Sequence, residues 1–430
     1  MGAHKNQPTI AVIGLGYVGL PTLAAIYRSG KYHTVGYDID TAKISRLKKG
    51  QNPIDDPQVT QYLKNKPNTK FTNKPEQIKN ADIYIIAVPT PIKDDHIPDY
   101  SYIESAARSI APLLNKNNHL VLESTVNPGT CEEIVIPILE ANSNLIAGTD
   151  FNVAHCPERI NPGDNHWTIY NIDRNIGSIN PDMNREIADI YRSFINNATI
   201  HERTNLKVTE SSKVVENTFR DINIAFVNEL AQSFDAMDID LYETIQAASN
   251  KPFGYTPYWP SRGVGGHCIA VDPYYLIKHA AQSGFDHRFL KLARDINNFM
   301  PTYTVNKCIQ ALNQIKKSVN GTSLGILGLA YKADVSDDRE SPAYKIINQL
   351  EHLGAKVSPH DPLVQTKPRP LRYLVDHNQV LIIATNHTQY IEQLPNLLKN
   401  SKVKIIIDGM NCLNKTQIES LGIIYQGIGR

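Results

Sequence analysis

"TIAVIGLGYVGLPTLAAIYRSG", residues 9–30, decides the fold. An apolar run ends on Val12 and Ile13. Gly14, Gly16 and Gly19 follow at G-x-G-x-x-G spacing, and a helical pattern comes after them. The first glycine permits a tight turn, the second lets a pyrophosphate approach the backbone, and the third lets helix and strand pack closely. The helix start then offers free N–H groups and a positive dipole end to phosphates. A glycine triplet alone is often only a turn, so its context matters. A second strand, "HTVGYDID" (33–40), ends on Asp38, nineteen residues after Gly19. A carboxylate there accepts a hydrogen bond from a ribose 2′-OH and repels a 2′-phosphate, so NAD is expected rather than NADP. The competing reading of Asp38 is a solvated loop residue.

Working outward, "ADIYIIAVPTP" (81–91), "HLVLESTVNPGT" (119–130) and "FNVAHCPERINPG" (151–163) read as further strands. Each ends in turn-forming or small polar residues, as the ligand-side ends of parallel strands do. Thr90, Ser124 and Thr125 are therefore candidate cofactor or water contacts, with turn and cap chemistry as the alternative. Near the other end, "TSLGILGLAYK" (322–332), "AKVSPHDP" (355–362), "QVLIIATNHT" (379–388) and "VKIIIDGMN" (403–411) form a second strand series. The fold class is α/β: two doubly wound Rossmann-like domains. The second lacks the full glycine fingerprint and is expected to take a different nucleotide.

From about 206 to 313 the strand pattern stops. "ESSKVVENTFRDINIAFVNELAQSFDAM" (210–237) carries apolar residues at 215, 219, 222, 226, 230 and 234, a helical period. A long central helix and a helical domain thus join the two α/β parts, and that helix is a candidate assembly surface. Lys213, Asn217 and Arg220 share one side of it. A solvated face is the alternative, although Asn217, Asn223 and Asn228 are poor helix formers for an exposed surface. The expected domains are 1–205, 206–313 and 314–430.

At 430 residues the chain is too long for one ordinary core. A formal net charge of +1 argues against a nucleic-acid scaffold. Five cysteines without CxxC spacing argue for reduced thiols and a cytoplasmic setting, and against structural zinc. The start "MGAHKNQPTIAVIG" has no signal-peptide pattern, and Asn6 stands where a myristoylation motif wants Ser or Thr. No run approaches the roughly 18 apolar residues of a membrane span.

The chemistry concentrates in "RGVGGHCIAVDPYY" (262–275). Cys268 is a nucleophile, a metal ligand or a small buried hydrophobe. A metal would need partners. His267 is adjacent but points elsewhere in an extended loop, and no third ligand stands at metal spacing. The glycines are expected to leave room for a substrate. Asp272-Pro273 reads as an N-cap and first-turn proline, so a helix start lies just beyond the thiol. Glu158 in "CPERINPG" is a candidate base on a water, or a surface acid. Lys213 is a candidate base, or a cation beside a developing oxyanion. An NAD site and an activated thiol together fit oxidation of an alcohol through an aldehyde, a thiohemiacetal and a thioester to a carboxylate.

The order of "GLGYVGLP", "ESTVNPGT", "PERINPGD", "KVVENTFRDINIAFVNEL", "GVGGHCIAVDPYYL" and "GLAYKADVSDDRESP" resembles the UDP-glucose/GDP-mannose dehydrogenase family over nearly the whole chain. It is most similar to the bacterial and archaeal branch acting on UDP-N-acetylhexosamines. The resemblance implies NAD-dependent four-electron oxidation of the sugar C6 hydroxymethyl, with Cys268 as covalent nucleophile. Lys213 and Asn217 would handle the charge or proton of the C6 oxygen. Asp272 would position a water or Lys213, Glu158 would assist thioester hydrolysis, and Thr125 would hold a water. NAD would lie on the first unit against Gly14, Gly16, Tyr17, Val18, Gly19, Thr90 and Ser124, with Asp38 and Lys43 near the adenosine ribose. Arg339 would reach the cofactor from the other unit. Lys332, Tyr331, the 259–265 loop with Arg262, Gly263 and Gly265, and Arg159 and Asn161 would bind the UDP-sugar. No metal, nucleic acid or membrane partner is implied, and a homodimer or higher homo-oligomer through the central helix is.

Three residues depart from the family pattern. Arg262 stands where the branch often has a small residue or proline, Asp338 replaces an apolar residue, and Cys156 replaces a serine. "KPFGYTP" and the "YKADV" region resemble the UDP-N-acetylglucosamine subgroup, which makes that sugar the first expectation, with UDP-N-acetylmannosamine, UDP-N-acetylgalactosamine and UDP-glucose as alternatives. The more distant rivals are a two-electron hydroxyacid- or phosphogluconate-type dehydrogenase and a non-catalytic nucleotide-binding protein.

Overall fold

The computed structural model describes residues 7–54, 56–93, 97–160, 166–364 and 368–430. The chain divides into two compact units, Met1–Glu216 and Asn217–Arg430. The long helix Leu206–Ala236 begins in the first and ends in the second.

The first unit holds a sheet of eight strands: β1 (Thr9–Ile13), β2 (His33–Tyr37), β3 (Lys70–Thr72), β4 (Ile83–Ile86), β5 (His119–Leu122), β6 (Asn152–His155), β7 (Arg174–Ser178) and β8 (Ile200–Glu202). Their order is β3-β2-β1-β4-β5-β6-β7-β8, parallel except where β6 meets β7. Both faces are covered, so the strands are apolar on both sides. Ile10 and Val12 enter one apolar layer with Ile83 and Ile85; Ala11 and Ile13 enter the other with Tyr84 and Ile86. In register, Ile13 pairs with Tyr37 and with Ile86. The chain therefore leaves β1, β2 and β4 at one edge, which brings Gly14, Asp38 and Ala87 together. Strands β3, β7 and β8 were not expected from the sequence.

The second unit repeats the plan with β9 (Ser323–Leu327), β10 (Lys356–His360), β11 (Val380–Ile383), β12 (Ile405–Asp408) and β13 (Ile424–Gly427). The order is β10-β9-β11-β12-β13, all parallel, and β13 was not expected from the sequence. Val380 and Ile382 face one apolar layer and Leu381 and Ile383 the other. Before this sheet come helices Leu241–Ala248, Asp272–Gln282 and Arg288–Gln314. Mixed α/β architecture with parallel sheets at both ends and a helical region between them matches the expected fold class.

The long helix turns its polar side inward, against the solvated-face alternative. Val215, Phe219 and Phe226 are exposed, whereas Glu210, Lys213, Asn217, Asp221 and Asn228 are buried. Its polar side is therefore no solvated face, although Arg220 on that side is exposed. Asp221 accepts from Arg294 at 2.6 Å and from Asn297, and Asn228 donates to Asn297 at 2.9 Å. Buried polar groups persist where each finds such a partner.

Candidate active site

In the first unit the glycine turn has the steric properties its spacing implies. Gly14 has φ +91°, and a Cβ there would stand 2.7 Å from the carbonyl oxygen of Ala87. A Cβ on Gly19 would stand 2.0 Å from the Gly14 carbonyl oxygen, so the helix Gly19–Arg28 packs as closely as the fingerprint requires. Gly16 differs: no described residue lies within 4 Å of the position its Cβ would take, which leaves open space over the backbone. Val18 is the residue before the helix, and Tyr17 is exposed beside it.

Asp38, just past β2, is buried. Its Oδ2 accepts from the Leu15 N–H at 2.8 Å and from Lys43 Nζ at 2.6 Å, and its Oδ1 from the Asp40 N–H at 2.9 Å. A carboxylate carries about four acceptor positions, so room for a ribose hydroxyl remains. Past β5, Ser124 donates to the Val88 carbonyl at 2.7 Å, tying the β5 end to the β4 end. Thr125 and Thr90 are half-buried at the same edge.

Glu158, past β6, is buried and not a surface acid. Its Oε1 accepts from the Arg159 and Ile160 N–H groups at 2.6 and 2.8 Å, and its Oε2 from Arg174 in a short charge-assisted bond. Arg159 is tied to Glu216 at 2.8 Å and to the Asp173 carbonyl at 2.9 Å. Asn161 lies outside the described residues. Arg174 and its second partner, Glu123, gave no sequence signal. A charged residue's burial depends on partners far along the chain.

In the second unit Cys268 is half-buried and its carbonyl accepts from the Val271 and Asp272 N–H groups, which starts a helical turn. The helix begins at Asp272 with Val271 as its N-cap. The expected capping role of Asp272 is thus corrected. Its side chain is buried and accepts 2.5 Å from Asn217 Nδ2.

The loop glycines are required by the packing of the protein itself. A Cβ on Gly266 would stand 2.7 Å from the Tyr331 ring, one on Gly265 2.7 Å from the Glu340 carbonyl oxygen, and one on Gly263 3.0 Å from that of Asn297. Tyr331 packs against the loop that carries the thiol, and the two interact electrostatically. Arg339 stands at the same place: it pairs with Asp337 at 2.5 Å, approaches His267 Nδ1 at 3.1 Å, and interacts with Cys268. Its bonds to Asp337 chiefly hold this guanidinium above its usual range. Lys332 is half-buried next in sequence to Tyr331.

Arg262 is buried and paired with no described carboxylate. Its Nη2 donates to the Tyr331 carbonyl at 3.1 Å, its Nη1 points at Met410 Sδ, and its Nε has no partner among the described residues. Burial pushes the guanidinium down to about 10. Asp361, at the end of β10, occupies the place that Asp38 holds after β2, but it is saturated. It accepts from the N–H groups of Leu329, Ala330, Leu363 and Val364 and from His387 Nε2. The second unit therefore has no spare carboxylate for a ribose at that point. Among the described residues no helix is long and apolar enough to cross a membrane, and no group of three or more His, Cys, Asp or Glu side chains could hold a metal ion.

A glycine turn with phosphate room, a buried carboxylate after the second strand and a second α/β unit define an NAD-dependent oxidoreductase with two nucleotide-binding units. The chain belongs to the UDP-glucose/GDP-mannose dehydrogenase family. The family's NAD binding domain matches residues 8–195, its central domain 207–299 and its UDP binding domain 325–415. The sequence is 35% identical over 425 residues to UDP-N-acetyl-D-mannosamine dehydrogenase of Pyrococcus horikoshii, covering 98% of this chain and 99% of that one. It is 35% identical over 395 residues to UDP-N-acetyl-D-glucosamine 6-dehydrogenase of Salmonella typhi, covering 90% and 91%. The solved structure of the Pyrococcus horikoshii UDP-D-ManNAc dehydrogenase matches with a TM-score of 0.91, covering 98% of this chain and 99% of that chain. The cofactor is NAD, and the reaction class is NAD-dependent oxidation of a nucleotide sugar at C6.

Proposed function

We propose that the protein oxidises the C6 hydroxymethyl of a UDP-N-acetylhexosamine to a carboxylate, through a covalent adduct on Cys268. One observation supports this above others: Cys268 stands at a helix start, half-exposed, and interacts electrostatically with the Arg339 guanidinium. A helix N-terminus and an adjacent cation are the setting in which a thiol becomes a nucleophile. Bound NAD supplies the hydride acceptor, one molecule for each of two oxidations.

In the steps we assign to the chain, Lys213 and Asn217 take up the proton or charge of the C6 oxygen as the alcohol becomes an aldehyde. The Cys268 sulfur gives up its proton and bonds to the aldehyde carbon, and that proton goes to the carbonyl oxygen, giving a thiohemiacetal. Loss of a second hydride and that proton leaves a thioester. Water held by Thr125 then bonds to the acyl carbon, its proton goes to Glu158, and the C–S bond breaks with the electron pair returning to sulfur. Asp272, hydrogen-bonded to Asn217, fixes the amide that meets the oxygen.

Gly14, Gly16, Tyr17, Val18, Gly19, Asp38, Lys43, Thr90 and Ser124 would hold the cofactor. Arg262 would meet the diphosphate, because a buried cation with an orphan N–H is relieved by an anion. Gly263, Gly265, Tyr331, Lys332, Arg159 and Asn161 complete the proposed sugar-nucleotide set, and residues 1–205, 206–313 and 314–430 the proposed division of labour. The manno epimer is the first to test, since the relative of that name is matched over 98% of this chain. The gluco epimer, favoured by the local motifs, comes second. A homodimer through the exposed face of the long helix and a cytoplasmic setting for the five free cysteines complete the reading.

The test is NADH formed per nucleotide sugar, with the manno, gluco and galacto epimers and UDP-glucose each limiting. Two NADH per sugar on one of them, and loss of that turnover on the order of 10³-fold or more in Cys268→Ala, are expected. One NADH per sugar, or a fully active Cys268→Ala variant, would leave a two-electron dehydrogenase instead.

A further inference from the structure

Behind Glu158 the first unit buries a chain of charge. Arg174, the first residue of β7, is fully buried; its Nη2 binds Glu158 and its Nη1 stands 3.5 Å from Glu123 Oε1. Glu123, just past β5, is also buried and accepts from Tyr191 Oη at 2.7 Å and from Thr22 Oγ1 at 3.1 Å. The guanidinium carbon lies 5.2 Å from the Tyr191 ring centroid. Thr22 belongs to the helix of the glycine turn.

Such a cluster is a costly way to fill a core. Replacing buried ion pairs with well-packed apolar groups is often neutral or stabilising, so the charges call for another role. The geometry supplies one. Glu158 has both oxygens fixed, one by two backbone N–H groups and one by Arg174. Of about four acceptor positions on a carboxylate, three are taken by described donors, and the direction of the fourth is set.

We propose that Arg174 is the positioning residue for Glu158, and that Glu123 governs how fully the Arg174 charge falls on it. This rests on the reading of Glu158 as the proton acceptor in thioester hydrolysis. With Glu123 ionised, the guanidinium is shared by two carboxylates. With Glu123 protonated, the guanidinium is held by Glu158 alone and ties its Oε2 more tightly, away from the water. Burial pushes Glu123 up to about 7, Arg174 opposing and Glu158 reinforcing the shift. The titratable and charged groups facing Glu123 are Arg174, Glu158, Tyr191 and Cys156. Hydrolysis should therefore be faster above neutrality than below it.

The test uses full-length enzyme, NAD and whichever UDP-N-acetylhexosamine yields two NADH. Rapid mixing follows NADH, and acid quench with intact mass measures acyl-enzyme on Cys268. Arg174→Lys is expected to keep the NADH burst, slow steady-state turnover by at least about 10-fold, and accumulate acyl-enzyme, as one lost charged contact predicts. Glu123→Gln is expected to erase an inflection of the steady-state rate near pH 7. A purely structural role would slow burst and turnover together and leave the pH profile unchanged; that result overturns the proposal. If Arg174→Lys does not fold, as shown by lost NAD binding, the isosteric Glu123→Gln profile decides alone. Glu158→Gln separates the two levels. If it stalls as acyl-enzyme while Arg174→Lys does not, the Arg174 proposal alone falls. If Glu158→Gln turns over normally, the assignment of Glu158 falls and takes this proposal with it.

Discussion

The Asn217 side-chain amide donates a 2.5 Å hydrogen bond to Oδ2 of Asp272, joining the long helix to the first turn of the helix that follows Cys268. Both side chains are buried. A carboxylate removed from water depends on its donors, and losing one costs about 1–3 kcal/mol. Asn217→Ala should lower unfolding stability in urea by about that amount. Because the proposed chemistry also uses this amide, kcat should fall more than about 10-fold with NAD affinity unchanged, the signature of an interaction made in the transition state. A variant that loses stability but keeps kcat would reduce Asn217 to a structural partner of Asp272.

Asp38 carries the cofactor prediction. Its carboxylate holds Lys43 and the Leu15 N–H of the glycine turn, with acceptor capacity left for a ribose hydroxyl. A hydrogen bond to a charged group is worth about 1.5–3 kcal/mol, so Asp38→Ala should weaken NAD binding by about 10- to 150-fold. Discrimination against NADP should weaken with it, because the repulsion of a 2′-phosphate is gone. Calorimetric titration with NAD, NADP and UDP reads all three, and UDP affinity should not change. Unaltered NAD affinity would mean that the ribose lies elsewhere.

Much of this was legible in the sequence, because strand, turn and helix signals are local. The run 9–30 with Asp38 gives β1, the turn, its helix and β2 without any knowledge of tertiary contacts. The missed strands are the informative ones. β3 and β8 have three residues each, too few for a period to register. β7 opens on Arg174, whose burial is decided by Glu123 and Glu158, 51 and 16 residues away, measured from 174 to 123 and to 158. The packing role of a loop glycine is equally hidden: Gly266 is required by the Tyr331 ring, which no local pattern announces. Periodicity located the long helix, and its asparagines, poor helix formers for an exposed surface, marked the side that turns inward.

His155 makes stability depend on acid. It is fully buried on β6, its Nε2 3.2 Å from the Ser124 carbonyl oxygen, and burial lowers it from 6.5 to about 4. Between those values the unfolded chain binds a proton that the folded chain refuses, so stability falls as pH drops through that window. The full loss is about 3 kcal/mol, at about 1.4 kcal/mol per unit. Glu123 works the other way: raised from 4.5 to about 7, it favours the fold as pH falls through that range. The two are separated by a variant. His155→Gln should flatten the decline of urea stability between pH 6.5 and about 4 relative to the unsubstituted protein. A decline of the same depth in both would show that His155 is not its source.

The exposed side of the long helix carries the last prediction. Phe219 and Phe226 are 55% and 53% exposed and lie seven residues apart, two turns on one face. The helix Arg288–Gln314 adds exposed Phe289, Leu292 and Phe299. Aromatic groups left outside while Asn217, Asp221 and Asn228 are taken inside are the basis of the proposed association surface. The proposed occupant is a second copy of this chain. In a two-fold interface each substitution counts twice. Burying a phenylalanine is worth about 1.5–3 kcal/mol, so Phe219→Glu should weaken the dimer by on the order of 10²- to 10⁴-fold. Sedimentation over a concentration series reads the shift. The monomer's own thermal unfolding should be little changed, because the side chain is already exposed in the single chain. An unsubstituted protein that sediments as a monomer at all concentrations, or a Phe219→Glu variant that dimerises as before, would move the interface away from this helix.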